Sequence, residues 1–232
     1  MVYKEKITEA IFIERPNRFI ALVECNGKML TVHVKNTGRC KELLQKGCKV
    51  YLAMSDNPER KTPADLVAVE KRLESGKYIL INMDSQLPNA VAEEWLRCSG
   101  LFSEKAIVKR EVRCGNSRFD LSVTDGDRRA FIEVKGVTLE DNGTVMFPDA
   151  PTERGVKHLN ELTKCLADGY EAYVIFVVQM KEASVFKPNS HTHPGFAKAL
   201  RDAKMAGVHV IAINCEVTPC SVNAIGKIKV ML

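Results

Sequence analysis

The chain has 232 residues, 45% of them hydrophobic and 27% charged, a composition that supports a sizeable buried core. Its opening run, MVYKEKITEA, lacks the apolar stretch of an export signal, and the longest strongly apolar run, Ala172 to Val178, is too short to cross a bilayer; a soluble cytoplasmic protein with no membrane partner is expected. The net charge of +5 is unevenly placed, since residues 1–82 hold 15 Lys/Arg against 10 Asp/Glu while residues 83–232 balance, which points to a polyanion partner for the first third.

Residues 1–82 read as short strands. Ala10 to Ile13, Arg18 to Cys25, Lys28 to Val34, Cys48 to Met54 and Leu66 to Lys71 are rich in β-forming residues. Asn26-Gly27 between the second and third is the two-residue composition of a tight hairpin. Asn36-Thr37-Gly38-Arg39 reads as a turn, and Cys40 to Gln45 as a short helix ending at Gly47. Strands of this number and length with one small helix fit an all-β, OB-fold-like domain. The eight cysteines are scattered, with no C-x-x-C pair, so free thiols are expected and zinc is disfavoured.

Residues 83–232 change pattern. Ala90 to Leu101 reads as a helix. Ile107 to Arg113, Ser117 to Val123 and Arg129 to Lys135 read as three strands, the last two joined at Asp125-Gly126. Thr152 to Ala167 has an apolar face of Val156, Leu159, Leu162 and Leu166 and a stop at Gly169. Tyr170 to Gln179 and Val208 to Ile213 read as buried strands separated by a helix, Phe196 to Met205, that ends at Gly207. Strand, helix and strand in succession imply a parallel pair with a crossover. The expected fold is therefore α/β with a mixed sheet behind an all-β domain.

The chemistry concentrates on two of these strands. Side chains alternate across a strand, so Phe119, Leu121 and Val123 share one face and Asp120 takes the other. Ile132 and Val134 likewise leave Glu133 and Lys135 together. Paired as a hairpin, the two strands bring Asp120, Glu133 and Lys135 to one side. Converging carboxylates repel, and a hard cation such as Mg²⁺ or Mn²⁺ relieves that repulsion. The backbone carbonyl of Val134 offers a further ligand. Such a cation acidifies a water and offsets charge on a phosphate, and a neighbouring lysine positions or deprotonates the attacking water. Alone, Glu-x-Lys is a weak pattern, common in solvated strands.

The spacing Asp120…Glu133-Val134-Lys135 resembles the PD-(D/E)XK nuclease superfamily, although Phe119 stands where that superfamily usually has proline. Asn36-Thr37-Gly38-Arg39, Ser117-Arg118-Phe119-Asp120, Glu133 to Leu139 and Phe147 to Gly155 are similar to runs of the sugar fermentation stimulation protein A family, and the similarity covers essentially the whole chain. That resemblance implies an N-terminal OB-like domain (1–82) and a restriction-endonuclease-like C-terminal domain (83–232). It also implies binding of DNA with little sequence preference and a role in regulating maltose metabolism.

Glu93 and Glu94 are candidates for a helix carboxylate aimed at the metal, against a solvated helix face. Arg154 and His158, four apart on one helix face, are candidates for phosphate contact beside a helix N-terminus. Gln179 ends a buried strand at the side where α/β sites form. Arg15, Arg18, Lys35 and Arg39 are candidate contacts to nucleic acid, with Phe19 as a stacking surface. Two functions compete: a metal-dependent nuclease, and a non-catalytic, sequence-nonspecific DNA-binding regulator on the same scaffold. A nucleotide phosphohydrolase would call for a glycine-rich phosphate loop, and the sequence has none.

Overall fold

The first six strands curl around one apolar interior. The structure, a computed structural model, describes residues 1–36, 38–115 and 117–232. Strands β1 (Ile7–Asn17), β2 (Ile20–Cys25) and β3 (Lys28–Val34) form an antiparallel meander. The Asn26-Gly27 turn joins the last two with φ of 51° and 74°, the doubly left-handed turn that matches strand twist. β4 (Lys49–Met54) pairs with β1 and β5 (Ala64–Arg72), and β5 returns to β3 in parallel at His33↔Asp65 and Val34↔Leu66. That last pairing closes a five-stranded, OB-type barrel. Ala21, Val23, Val32, Val50, Leu52 and Leu66 fill it, all fully buried.

Two features of this half depart from expectation. The run Cys40 to Gln45 is not a helix: Cys40 has a left-handed φ of 45°, and Leu43 and Leu44 both donate back to its carbonyl. A single turn begun from that conformation does not propagate. A sixth strand, β6 (Tyr78–Asn82), pairs with β5 outside the barrel closure, where the sequence reading places none. The turn at Asn36 to Arg39 includes Thr37, which lies outside the described residues.

The rest of the chain is built on a mixed sheet of order β15-β14-β12-β9-β8-β7. Helix α1 (Leu87–Cys98) precedes an antiparallel meander of β7 (Ile107–Cys114), β8 (Ser117–Asp125) and β9 (Arg128–Val137). β9, β12 (Glu171–Val178) and β14 (His209–Thr218) run parallel. Helices α2 (Glu153–Ala167) and α3 (Pro194–Ala206) connect them. Thr152 caps α2 by accepting from Gly155 N at 3.1 Å, and Gly207 ends α3 at φ 115°. α1 begins three residues earlier than its expected start, because Pro88 suits the first helical turn. A small second sheet, β10 (Leu139–Asp141), β11 (Thr144–Phe147), β13 (Val185–Pro188) and β16 (Lys229–Val230), went unforeseen because its strands span only two to four residues. β15 (Ser221–Lys227) also went unforeseen.

α1 covers one face of the mixed sheet, where Leu87, Val91 and Trp95 meet Leu121, Ile132, Val134 and Ile175. α2 and α3 cover the other, and their core of Leu159, Phe176 and Phe196 is continuous with the barrel interior. Each fully buried Leu or Phe contributes about 1.5–3 kcal/mol. No helix among the described residues is long and apolar enough to cross a membrane, and all eight cysteines are free thiols.

Candidate metal centre and nucleic-acid interface

The mixed sheet splits where its chemistry lies. The β8–β9 ladder runs from Asp125↔Arg128 to Leu121↔Ile132 and stops. On the other side of β8, pairing with β7 skips Asp120, opposite Glu111, whose φ is 57°. A non-glycine residue in that conformation is uncommon. Asp120 thus sits where β8 parts from β9 and misses a single β7 partner, and its carboxylate stands in for the missing β9 ladder. Oδ2 accepts from Val134 N at 2.8 Å, and Oδ1 accepts from Asn89 Nδ2 on α1 at 3.0 Å. Since a strand residue's N–H and C=O point to the same side, Val134 also turns its carbonyl toward the gap.

Glu133 lies 2% exposed on the α2 side of β9. Its Oε1 is contacted by Lys135 Nζ and by His158 Nδ1. Arg154 Nε donates to His158 Nε2 at 3.3 Å. A neutral imidazole with its proton on Nδ1, assigned from these contacts, satisfies both partners. Glu133 Oε2 is buried with no hydrogen-bond partner among the described residues. Burial and then the Glu133 charge push the Asp120 pKa above the ordinary aspartate value, against the opposing pull of Val134 N–H, Lys135 and Asn89. Burial acts the same way on Glu133, but His158 and Lys135 together outweigh it and hold that carboxyl low. A buried, unpartnered carboxylate oxygen beside a second carboxylate with a raised pKa is a donor set that fits a hard divalent cation. Among the described residues no group of three or more His, Cys, Asp and Glu is placed to chelate a metal, so ligation here would be completed by the Val134 carbonyl and water.

Several expected residues sit elsewhere. Phe119 does not share the packing of Leu121 and Val123; it meets Phe131 at 5.2 Å in the core under α2, because the pairing breaks between them. Glu93 is held by Arg97 at 2.7 Å and Arg110 at 2.5 Å, and Glu94 by the N-terminal ammonium at 2.7 Å. The α1 side chain that reaches Asp120 is Asn89, which carried no charge to single it out. Gln179 is buried at the junction of the two halves, donating to Asn82 Oδ1 at 2.8 Å and Asp84 O at 3.1 Å rather than joining the carboxylates. His158 is turned inward to Glu133, leaving Arg154 exposed beside it.

The basic candidates divide in the same way. Arg15 donates to the carbonyls of Arg18, Asn36, Gly38 and Arg39 at 2.7–3.0 Å, so its guanidinium shapes the loop instead of meeting a ligand. Lys35 pairs with Asp84 at 3.0 Å and Asp65 at 3.6 Å. Arg18 and Arg39 remain exposed. Arg18, Gly38 and Ser85 face Gly136, Asp149 and Thr152 across a cleft of about 300 Å³ between the barrel and the mixed sheet. Gly136 follows Lys135 in the chain, and Thr152 opens the helix that carries Arg154 and His158, so the cleft lies next to these residues along the chain, although the carboxylates themselves do not line it. Asp149, which the sequence reading did not single out, accepts from Arg39 N at 2.9 Å and crowds Gly38 too closely for a Cβ.

Comparison with known proteins finds two family models that match this chain. Residues 13–81 match the family model described as the SfsA N-terminal OB domain, and residues 86–221 match the sugar fermentation stimulation protein RE domain. A sugar fermentation stimulation protein homolog from Ruminiclostridium cellulolyticum is 51% identical over 232 residues, with both chains fully covered. One from Desulfitobacterium hafniense is 53% identical over 218 residues, 94% of this chain and 93% of the relative. The structure of Pyrococcus furiosus SfsA in complex with Ca²⁺ superposes with a TM-score of 0.86 at 27% identity, covering both chains fully. The chain belongs to the sugar fermentation stimulation protein family.

Proposed function

We propose that this protein is a DNA-binding phosphodiesterase that cleaves with Mg²⁺ or Mn²⁺ held by Asp120, Glu133 and the Val134 carbonyl. The observation that carries the reading is the buried, unpartnered Oε2 of Glu133 beside Asp120. A polar atom stripped of water and left unpaired is costly, and a cation removes that cost. The Ca²⁺ in the Pyrococcus furiosus SfsA structure is a cation of the same oxygen-seeking class.

When bound, such a cation supplies an acidified water and offsets charge on the phosphate. The chain's own residues do the rest. His158 fixes the Glu133 carboxylate through Oε1 and leaves Oε2 free, and Arg154 holds His158 in the required tautomer. Asn89 and Val134 N–H aim Asp120. Lys135 Nζ, the ammonium in contact with Glu133, orients the attacking water by donating to it and steadies the charge that builds on the phosphate. Eight free thiols suit activity in the reducing cytoplasm.

Single- and double-stranded DNA incubated with Mg²⁺ or Mn²⁺ tests the reading. Cleavage is expected in the wild type and lower by about 10²–10⁴-fold in Asp120→Ala and Lys135→Ala. Cleavage equal in all three proteins overturns the assignment. Salt-sensitive binding without any cleavage replaces it with the non-catalytic DNA-binding regulator.

A further inference from the structure

The tip between β1 and β2 carries an aromatic ring that the fold holds out in water. Phe19 is 55% exposed, yet its backbone is tightly fixed. Its N–H donates to Asn17 Oδ1 at 2.9 Å, its carbonyl accepts from Val34 N at 2.7 Å, and the preceding Arg18 carbonyl accepts from Arg15 at 2.7 Å. The chain therefore spends the Asn17 and Arg15 side chains on presenting Arg18 and Phe19, while both of those side chains stay exposed. Arg18 lines the interdomain cleft, and Phe19 follows it in the chain at the same exposed tip.

We infer that the substrate of the Asp120–Glu133 site is an unpaired strand of nucleic acid, one base stacking on Phe19 and its phosphate meeting Arg18 as the strand enters the cleft. This rests on the nuclease reading above and narrows its substrate. A base offers its face to a side chain only where it is not stacked within a duplex, and aromatic platforms beside cationic grooves are how unpaired strands are held without sequence preference. A cleft of about 300 Å³ is at the small end of ligand sites, suited to a nucleotide-sized unit and not to two paired strands. Of the four basic candidates, Arg15 and Lys35 are committed internally, which leaves Arg18 and Arg39 to meet the phosphates of a single backbone.

The test measures binding of a labelled 12-mer as single-stranded DNA, as single-stranded RNA and as blunt duplex DNA, by fluorescence anisotropy in Ca²⁺. Wild type is compared with Phe19→Ala, Phe19→Tyr and Arg18→Ala, and cleavage of the same substrates is followed in Mg²⁺ or Mn²⁺. Single strands are expected to bind at least about tenfold tighter than duplex. Phe19→Ala is expected to weaken single-strand binding by about 5- to 150-fold, with Phe19→Tyr restoring it and duplex binding unmoved. The DNA and RNA arms identify the sugar, and preference for either over duplex supports the inference. Duplex bound or cut as well as single strands, or single-strand affinity unchanged in Phe19→Ala, overturns it. Metal-dependent cleavage of duplex that vanishes in Asp120→Ala would sink this inference alone, whereas failure of the wild type to cut any substrate would sink the nuclease reading.

Discussion

Asp120 and Glu133 stand side by side and respond to pH in opposite directions. Asp120 has a raised pKa in the folded chain, so its favourable contribution is present below the ordinary aspartate value of about 3.9 and is lost as pH rises through the folded value. Glu133 is held low, so its contribution is present above about 4.3 and is lost as pH falls through the folded value. At neutral pH the metal-free fold therefore carries Asp120 as a burden. Asp120→Asn keeps an acceptor for Val134 N–H, and Asn89 can turn its amide to suit; the variant should gain about 0.5–2 kcal/mol without metal at pH 7. Wild type should gain about 2.7 kcal/mol from Mg²⁺ at a hundred times Kd, and the variant almost nothing. Chemical denaturation with and without Mg²⁺ measures both, and a destabilised Asp120→Asn or an equal Mg²⁺ effect on the two proteins contradicts the account.

At the scale of elements, the site is a gap between strands held open by tight packing around β9. A Cβ on Gly136 would lie 2.6 Å from Gln179 Oε1 and 2.9 Å from Pro88 Cγ. Gly136→Ala must therefore push apart the end of β9, the end of β12 and the start of α1. A loss of about 1–3 kcal/mol is expected, together with reduced cleavage, since Lys135 and Asn89 sit on the displaced segments. Gly226 in β15, where a Cβ meets nothing within 4 Å, is the control, and Gly226→Ala should change the unfolding free energy by less than about 0.5 kcal/mol. Equal effects at the two glycines would show that crowding at Gly136 is not what matters.

Across the whole molecule, polar and apolar contacts join the halves. Lys71 of β5 donates to Glu140 Oε2 of β10 at 2.5 Å, and Glu140 is 4% exposed. The N-terminal residues Val2 and Tyr3 bridge to Ser221, the first residue of β15, and to Cys220 just before it, and the apolar core is continuous from the barrel to α2. A single calorimetric unfolding transition is expected. Lys71→Met leaves the Glu140 carboxylate without its cation and should cost about 3–5 kcal/mol; two transitions in the wild type, or no loss in the variant, would contradict this coupling. Nucleic-acid binding should also reflect which cations are free. With Arg18 and Arg39 as the phosphate contacts on a single strand, log K against log salt should slope at about −1.4. Arg15→Ala should leave that slope unchanged and lower stability, by freeing the four carbonyls it binds. A shallower slope in Arg15→Ala would place Arg15 on the ligand after all.

Local patterns in the sequence carried much of the architecture. The Asn26-Gly27 turn, the caps at Thr152 and Gly207 and the buried run of β12 are properties of a few adjacent residues, and such properties survive in any fold that uses them. The Asp120…Glu133-Val134-Lys135 spacing likewise located the carboxylates, because strand alternation is local. What tertiary structure decided was which polar groups are already spent. Arg15 and Lys35 look like free cations in sequence and are consumed by partners 3 to 49 residues away. Glu93, one turn beyond Asn89 on α1, is taken by Arg110 of β7. Asn89, His158 and Asp149 gain their positions from segments up to 110 residues distant, and the unpaired oxygen of Glu133 exists only because α2 and β9 bury it together. A side chain's type is written in the sequence; whether its hydrogen bonds and charge are still available depends on long-range packing, which no local pattern records.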